Sequence, residues 1–169
     1  MATEKPEHVV LIVDAKGLLA SLDPLPGNPG SPIALDPRHL CILHARAQPV
    51  DLLLIDSARL TLEAGTPLLL RMVPVALLGE EILFSHSPAS TPPLTIELIE
   101  QHNLRLARPE PSTPLQPSCR EVDDYHWHLR SDQPGEFKLT WQVMLLTQGC
   151  EPLAYLSLHL DLQVTVPTG

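Results

Sequence analysis

From Tyr125 to Val166 the chain alternates apolar and polar residues through three successive segments. Tyr125, Trp127 and Leu129 interleave with His126, His128 and Arg130. Phe137, Leu139, Trp141, Val143 and Leu145 interleave with Glu136, Lys138, Thr140 and Gln142. Leu156, Leu158, Leu160, Leu162, Val164 and Val166 interleave with Ser157, His159, Asp161, Gln163 and Thr165. A period of two places one set of side chains in a core and the other in water, the pattern of an antiparallel sheet covered on one side. Pro134-Gly135 suits the central positions of a type II turn, so the first two segments are expected to form a hairpin.

The rest of the chain repeats this grammar in shorter phrases. His8 to Asp14 reads as a buried first strand. Asp14 is placed to cap a short helical turn through Leu22, weakened by Gly17. Asp23 to Pro32 holds four prolines and two glycines in ten residues, which predicts an exposed but ordered loop. Further strands are expected at Leu40 to Ala45, Asp51 to Asp56, Ala58 to Ala64, Leu68 to Val75, Ile82 to Phe84 and Leu94 to Ile99. Pro74 would confine its strand to an edge or a bulge. Arg108 to Ser118, with four prolines in eleven residues, reads as a surface loop. The 19 prolines among 169 residues argue against long helices. The fold expected is all-β, a two-sheet antiparallel sandwich with jelly-roll-like order and one short helical turn near the N-terminus, in a single domain spanning residues 1–169.

A net charge of −9 disfavours nucleic acid and anionic membrane as partners, and three lysines among eleven cationic residues leave no polybasic patch. Cys41, Cys119 and Cys150 are odd in number and lack metal-ligand spacing. Met1 to Pro6 is polar, and the apolar run Val9 to Val13 is too short for a signal core or a membrane span. Together these features predict a cytoplasmic protein with reduced thiols.

Two constellations carry possible chemistry. His126 and His128 project from one strand face, a spacing used by zinc sites when a third ligand arrives from a neighbouring strand, and His159 is the candidate third. Asp123, Asp124 and Asp161 are the accompanying carboxylates. The plainer reading, and the one adopted, is a polar surface with no metal, no cofactor and no catalytic residue. Asp123 and Asp124 with Asn28 and Asp36 offer oxygens for calcium but form no compact ligand loop. No nucleophile elbow or phosphate-binding glycine motif is present. Trp127, Phe137 and Trp141 fall on apolar faces and are expected in the core rather than on a sugar platform.

Three blocks taken in order resemble the AidA/PixA family of bacterial inclusion-body proteins. The first is Val13-Asp14, Leu18-Leu19, Gly27-Asn28-Pro29 and Leu40 to Leu43. The second is the glycine turn leading into Gly65 to Met72. The third is the Tyr125-His126-Trp127 strand, the Pro-Gly turn, the long alternating strand, Gly149-Cys150 and the final strand. The resemblance differs in the middle, where Leu68 to Pro74 replaces an aromatic, polar strand. It implies a jelly-roll-like sandwich without established enzyme activity, in a family associated with density-dependent expression in host-associated bacteria and, in one branch, with intracellular inclusions. Two function classes follow. One is a non-enzymatic interaction module that self-associates as a homodimer or higher assembly, with Leu52 to Ile55 and Leu68 to Leu70 as the expected apolar interface. The other is a binder of a small ligand, sugar or metal, on the His126/His128 face or at loops at one end of the sandwich.

Overall fold

Eleven strands form two facing sheets in the computed structural model of the chain, which describes residues 5–22, 28–46, 51–55, 58–75, 81–86, 88, 91–108 and 118–167. The strands are β1 (Glu7–Asp14), β2 (Ile33–Ala34), β3 (Leu40–Arg46), β4 (Asp51–Ile55), β5 (Arg59–Glu63), β6 (Leu68–Val75), β7 (Glu81–His86), β8 (Leu94–Arg108), β9 (Ser118–Ser131), β10 (Gly135–Leu146) and β11 (Pro152–Thr165). One sheet runs β4-β3-β1-β6-β9-β8. The other runs β2-β11-β10-β7, with β5 following β2 along the same edge of β11. The two-sheet all-β sandwich expected from the alternation is therefore present. Its sheets are mixed rather than wholly antiparallel: β1 pairs with β6, and β11 with both β2 and β5, in parallel. Side-chain period reports which face is buried and is blind to the direction of the neighbouring strand.

The core is supplied by the residues in phase with the alternation. Val9, Leu11 and Val13 of β1, Leu68 and Leu70 of β6, Trp127 and Leu129 of β9, and Leu139, Trp141, Val143 and Leu145 of β10 are all buried. So are Leu156 to Val164 at every second position of β11. Phe137 is half-buried against the same core. Burial of each large apolar side chain contributes about 1.5–3 kcal/mol before the entropy of ordering is subtracted.

The Pro134-Gly135 turn does not close a hairpin. It carries the chain from β9 in one sheet to β10 in the other, so the expected hairpin is corrected. Gly135 is not among the described residues with positive φ, which a type II turn would require of it. The corner is instead formed upstream, where Ser131 Oγ donates to Gln133 O at 2.8 Å and accepts from Gln133 N at 3.3 Å. The glycine with positive φ is Gly65, at 90°, in the turn that carries β5 to β6 across the same gap. Its N–H donates to Ser131 O at 2.8 Å, so the two sheet-to-sheet corners are tied to each other. The true hairpin of this region joins β10 to β11 through Thr147 to Glu151, with Cys150 at φ 61°.

One short helix, α1 (Ala15–Ser21), follows β1, and Asp14 caps it by accepting from Gly17 N at 2.9 Å. A Cβ at Gly17 would take the position of the Asp14 carboxylate, so a larger residue there displaces the cap. Pro74 lies opposite Val13 on β1, while β9 pairs β6 only over Leu68 to Leu70. The proline thus sits where one side of its strand has no partner, as expected. Of the proline-rich loop, residues 23–27 lie outside the described residues, and the remainder is a turn in which Asn28 Oδ1 accepts from Gly30 N at 2.8 Å. Most of the expected loop from Arg108 to Ser118 also lies outside them, while Leu104 to Arg108 extends β8 opposite Ser118 to Val122. Among the described residues no helix is long and apolar enough to cross a membrane.

Candidate functional site

The outer face of the six-stranded sheet gathers charge around β9. Alternation sends Asp124, His126 and His128 away from the core, and β6 supplies Arg71 beside them. Arg71 Nη2 donates to Asp124 Oδ2 at 2.6 Å and lies 3.4 Å from His126 Nδ1. His126 Nδ1 is 4.0 Å from Asp124 Oδ2. His126 is 5% exposed, so the expected wet histidine is a buried one, packed within the polar side of the sheet. Burial pushes its pKa below the usual histidine value, with the Arg71 guanidinium acting in the same direction. Asp124 opposes the shift, and His128 and His8 add to it. The group is therefore an uncharged imidazole beside an Arg–Asp ion pair.

His126 and His128 do share one face, two residues apart on β9. His159 does not join them. It lies on β11 of the opposite sheet, exposed, with Nδ1 3.0 Å from Thr140 Oγ1 and Nε2 3.5 Å from Ser157 Oγ. Among the described residues no group of three or more His, Cys, Asp or Glu is placed to hold a metal ion. The carboxylates have other work. Asp123 lies 3.4 Å from His102 Nδ1 and accepts from Asn103 N at 3.1 Å. Asp36 accepts from Arg38 Nη2 at 2.7 Å and from Arg38 N at 2.9 Å, contacts that hold its carboxyl down at about 2. Asp161 is exposed beside Arg59 and Lys138, far along the second sheet. The oxygens considered for calcium are thus dispersed. The three cysteines are free thiols, Cys119 and Cys150 exposed and Cys41 half-buried.

Two features escape a reading by residue type. Glu7 and His44 both point into the core, with His44 Nε2 2.7 Å from Glu7 Oε2. Their only signal in the sequence is that each stands in phase with apolar neighbours, Glu7 with Val9 and Leu11, and His44 with Ile42. The second is a cavity of about 330 Å3 along the middle of the β8–β9 pair, lined by Leu98, Glu100, His102, Asp123, Tyr125 and Trp127 among others. Its lining combines the aromatic side chains Tyr125 and Trp127 with the carboxylates of Glu100, Asp123 and Asp124.

That long pair also breaks register. Gln101 lies opposite Asp124 and Leu104 opposite Val122, so β8 carries one extra residue, with Asn103 at φ 57°. The expected interface residues separate as well. Leu68 and Leu70 are buried core on an interior strand, and only β4, which contains Leu52 to Ile55, lies at a sheet edge.

No family model matches the chain, and no curated protein matches it. Among solved structures the chain is similar to a crystal structure of the inclusion body protein PixA from Burkholderia cenocepacia J2315. The TM-score is 0.65 at 14% sequence identity, over 96% of this chain and 97% of that one. The likeness is one of fold, a sandwich shared along almost the whole length of both chains.

Proposed function

We propose that this protein is a non-enzymatic, PixA-like protein of the inclusion-body type, working by self-assembly in the cytoplasm as a homodimer or higher homo-oligomer. The observation that carries this reading is the end-to-end fold likeness to an inclusion body protein. It is supported by a sheet that ends at β8, a fifteen-residue strand presenting exposed Leu98, Leu104 and Leu106. Long apolar edges of this kind recruit further strands unless they are blunted. The polar clusters meanwhile hold one another in place: Arg71 with Asp124, Glu7 with His44, Arg38 with Asp36. Light scattering on purified protein at tens of micromolar tests the reading. A concentration-dependent mass above that of one chain is expected, and a strict monomer would remove it. Expression that rises with population density in a host-associated bacterium belongs to the same proposal, and constant transcript levels through growth would count against it.

A second reading is favoured by the cavity beside Tyr125 and Trp127: binding of a small ligand within it. The carboxylates of Glu100 and Asp123 in its lining suit a ligand with a cationic group. Titration of intrinsic fluorescence with small amines and sugars should then saturate, and a flat response would dismiss it. A metal on the His126/His128 face is the remaining variant, supported only by the paired imidazoles. Elemental analysis would have to find stoichiometric zinc or another transition metal.

A further inference from the structure

The charges of β8 are self-complementary about its midpoint. Reading outward from His102 and Asn103, Gln101 mirrors Leu104, Glu100 mirrors Arg105, Ile99 mirrors Leu106, Leu98 mirrors Ala107, and Glu97 mirrors Arg108. Both acidic residues thus lie in one half of the strand and both basic residues at the matching positions of the other. We propose that two copies of the chain pair antiparallel through β8 about a two-fold axis between His102 and Asn103. Glu100 of each copy then stands opposite Arg105 of the other, and the two sheets become one. The proposal rests on the self-assembly reading and names the edge and the register by which it would occur.

Three observations support it. β8 stands last in its sheet and, among the described residues, pairs with β9 alone. A two-fold contact must be complementary to itself, and the arrangement of charge along β8 satisfies that condition. The extra residue in the strand provides the third. Glu100 and Arg105 are five positions apart, which in a regular strand would put them on opposite faces. With the bulge between them, Glu100 pairs with Tyr125 and Arg105 with Glu121, four positions apart on β9, so they share one face. Ile99 and Leu106, opposite His126 and Arg120, share the other by the same count. A bulge can blunt an edge against pairing. Here it brings the self-complementary residues into phase.

The apolar residues fall in the same register. Leu98, Leu104 and Leu106, three of the seven large hydrophobic residues exposed among the described ones, lie on this strand at 43%, 37% and 40% exposure. Pairing sets Leu106 against Ile99 of the second copy, Leu104 against Gln101 and Leu98 against Ala107. Cross-strand neighbours at this distance cover one another. Glu100 is available for the contact: its side chain is 59% exposed, with Oε2 3.8 Å from His102 Nε2.

Sedimentation equilibrium of the full chain tests the register. Glu100→Arg and Arg105→Glu should each weaken dimerisation by at least ~10-fold, because each places like charges opposite one another twice in the dimer. Combining them restores opposite charges and should return the dissociation constant to within about three-fold of the parent. Glu100→Gln removes attraction without adding repulsion and should weaken the dimer by a smaller factor, which guards against misreading a folding defect of the arginine variant. Association that persists unchanged in both single charge swaps overturns the proposed register while leaving the self-assembly reading intact. A double variant no tighter than either single also overturns it. A parent protein that is monomeric refutes both.

Discussion

Glu7 Oε2 and His44 Nε2 lie 2.7 Å apart inside the sandwich, between β1 and β3, with His44 1% exposed. The contact satisfies Glu7 Oε2 and His44 Nε2 in a core of apolar neighbours, while His44 Nδ1 is buried with no hydrogen-bond partner among the described residues. Removing either partner leaves the other buried and unpaired. His44→Ala and Glu7→Ala are each expected to destabilise the fold by about 1–3 kcal/mol. The double substitution should cost clearly less than their sum, since the penalty of the orphaned partner is incurred once. Urea denaturation of the three variants measures this, and strict additivity would show that the contact contributes nothing.

Trp141 is fully buried at the centre of β10, opposite Leu158 of β11. Trp141→Ala should cost about 3–5 kcal/mol, read as a lower denaturation midpoint without a change in its slope.

His126 makes the fold sensitive to acid. Its folded pKa is lowered by burial and by Arg71, so between that value and the unfolded value near 6.5 the unfolded chain binds more protons. The contribution of the neutral imidazole is therefore complete above about pH 6.5 and is lost progressively as pH falls toward the folded pKa. Thermal melts should fall across that window in the parent protein. The fall should be shallower in His126→Gln, while His128→Gln should leave most of it in place.

Asp14 and Gly17 act as a unit at the start of α1. Gly17→Ala should lower stability even though alanine is the better helix former, by about 0.5–1 kcal/mol, because its methyl group displaces the capping carboxylate. Asp14→Ala should cost a similar amount. In the double variant the cap is already lost, so the alanine at position 17 should become neutral or favourable. A loss equal to the sum of the singles would contradict this arrangement.

Arg38 holds the exposed Asp36 carboxyl at about 2. In Arg38→Ala that carboxyl should rise toward its ordinary value of 3.8 but stay below it, because the backbone N–H of residue 38 still donates to it; NMR titration follows the change, and global stability should shift little since the pair is on the surface.

The alternation of β10 and β11 was legible because burial imposes a period of two on any strand with one covered face. Trp127, Trp141 and the leucines of β11 were placed in the core by that rule alone. The same rule put His126 outside the core, correctly, yet missed its burial. A side chain on the outer face of a sheet is covered by its lateral neighbours, here Arg71, 55 residues away in sequence. His159 shows the converse. It shares the polar phase with His128, but phase does not say which sheet a strand joins.

Local features were legible in the chain alone: strand positions, the buried phase, the capping of α1 by Asp14 and the one-sided pairing of β6 at Pro74. Each follows from steric and solvation preferences acting over a few residues. Long-range packing settles that Pro134-Gly135 turns a corner between sheets, that β1 and β6 run parallel, and that Glu7 finds His44. Those outcomes depend on which distant segment lies alongside. That choice is made by packing the two sheets' faces together, an energy summed over the whole core that no single stretch of chain contains.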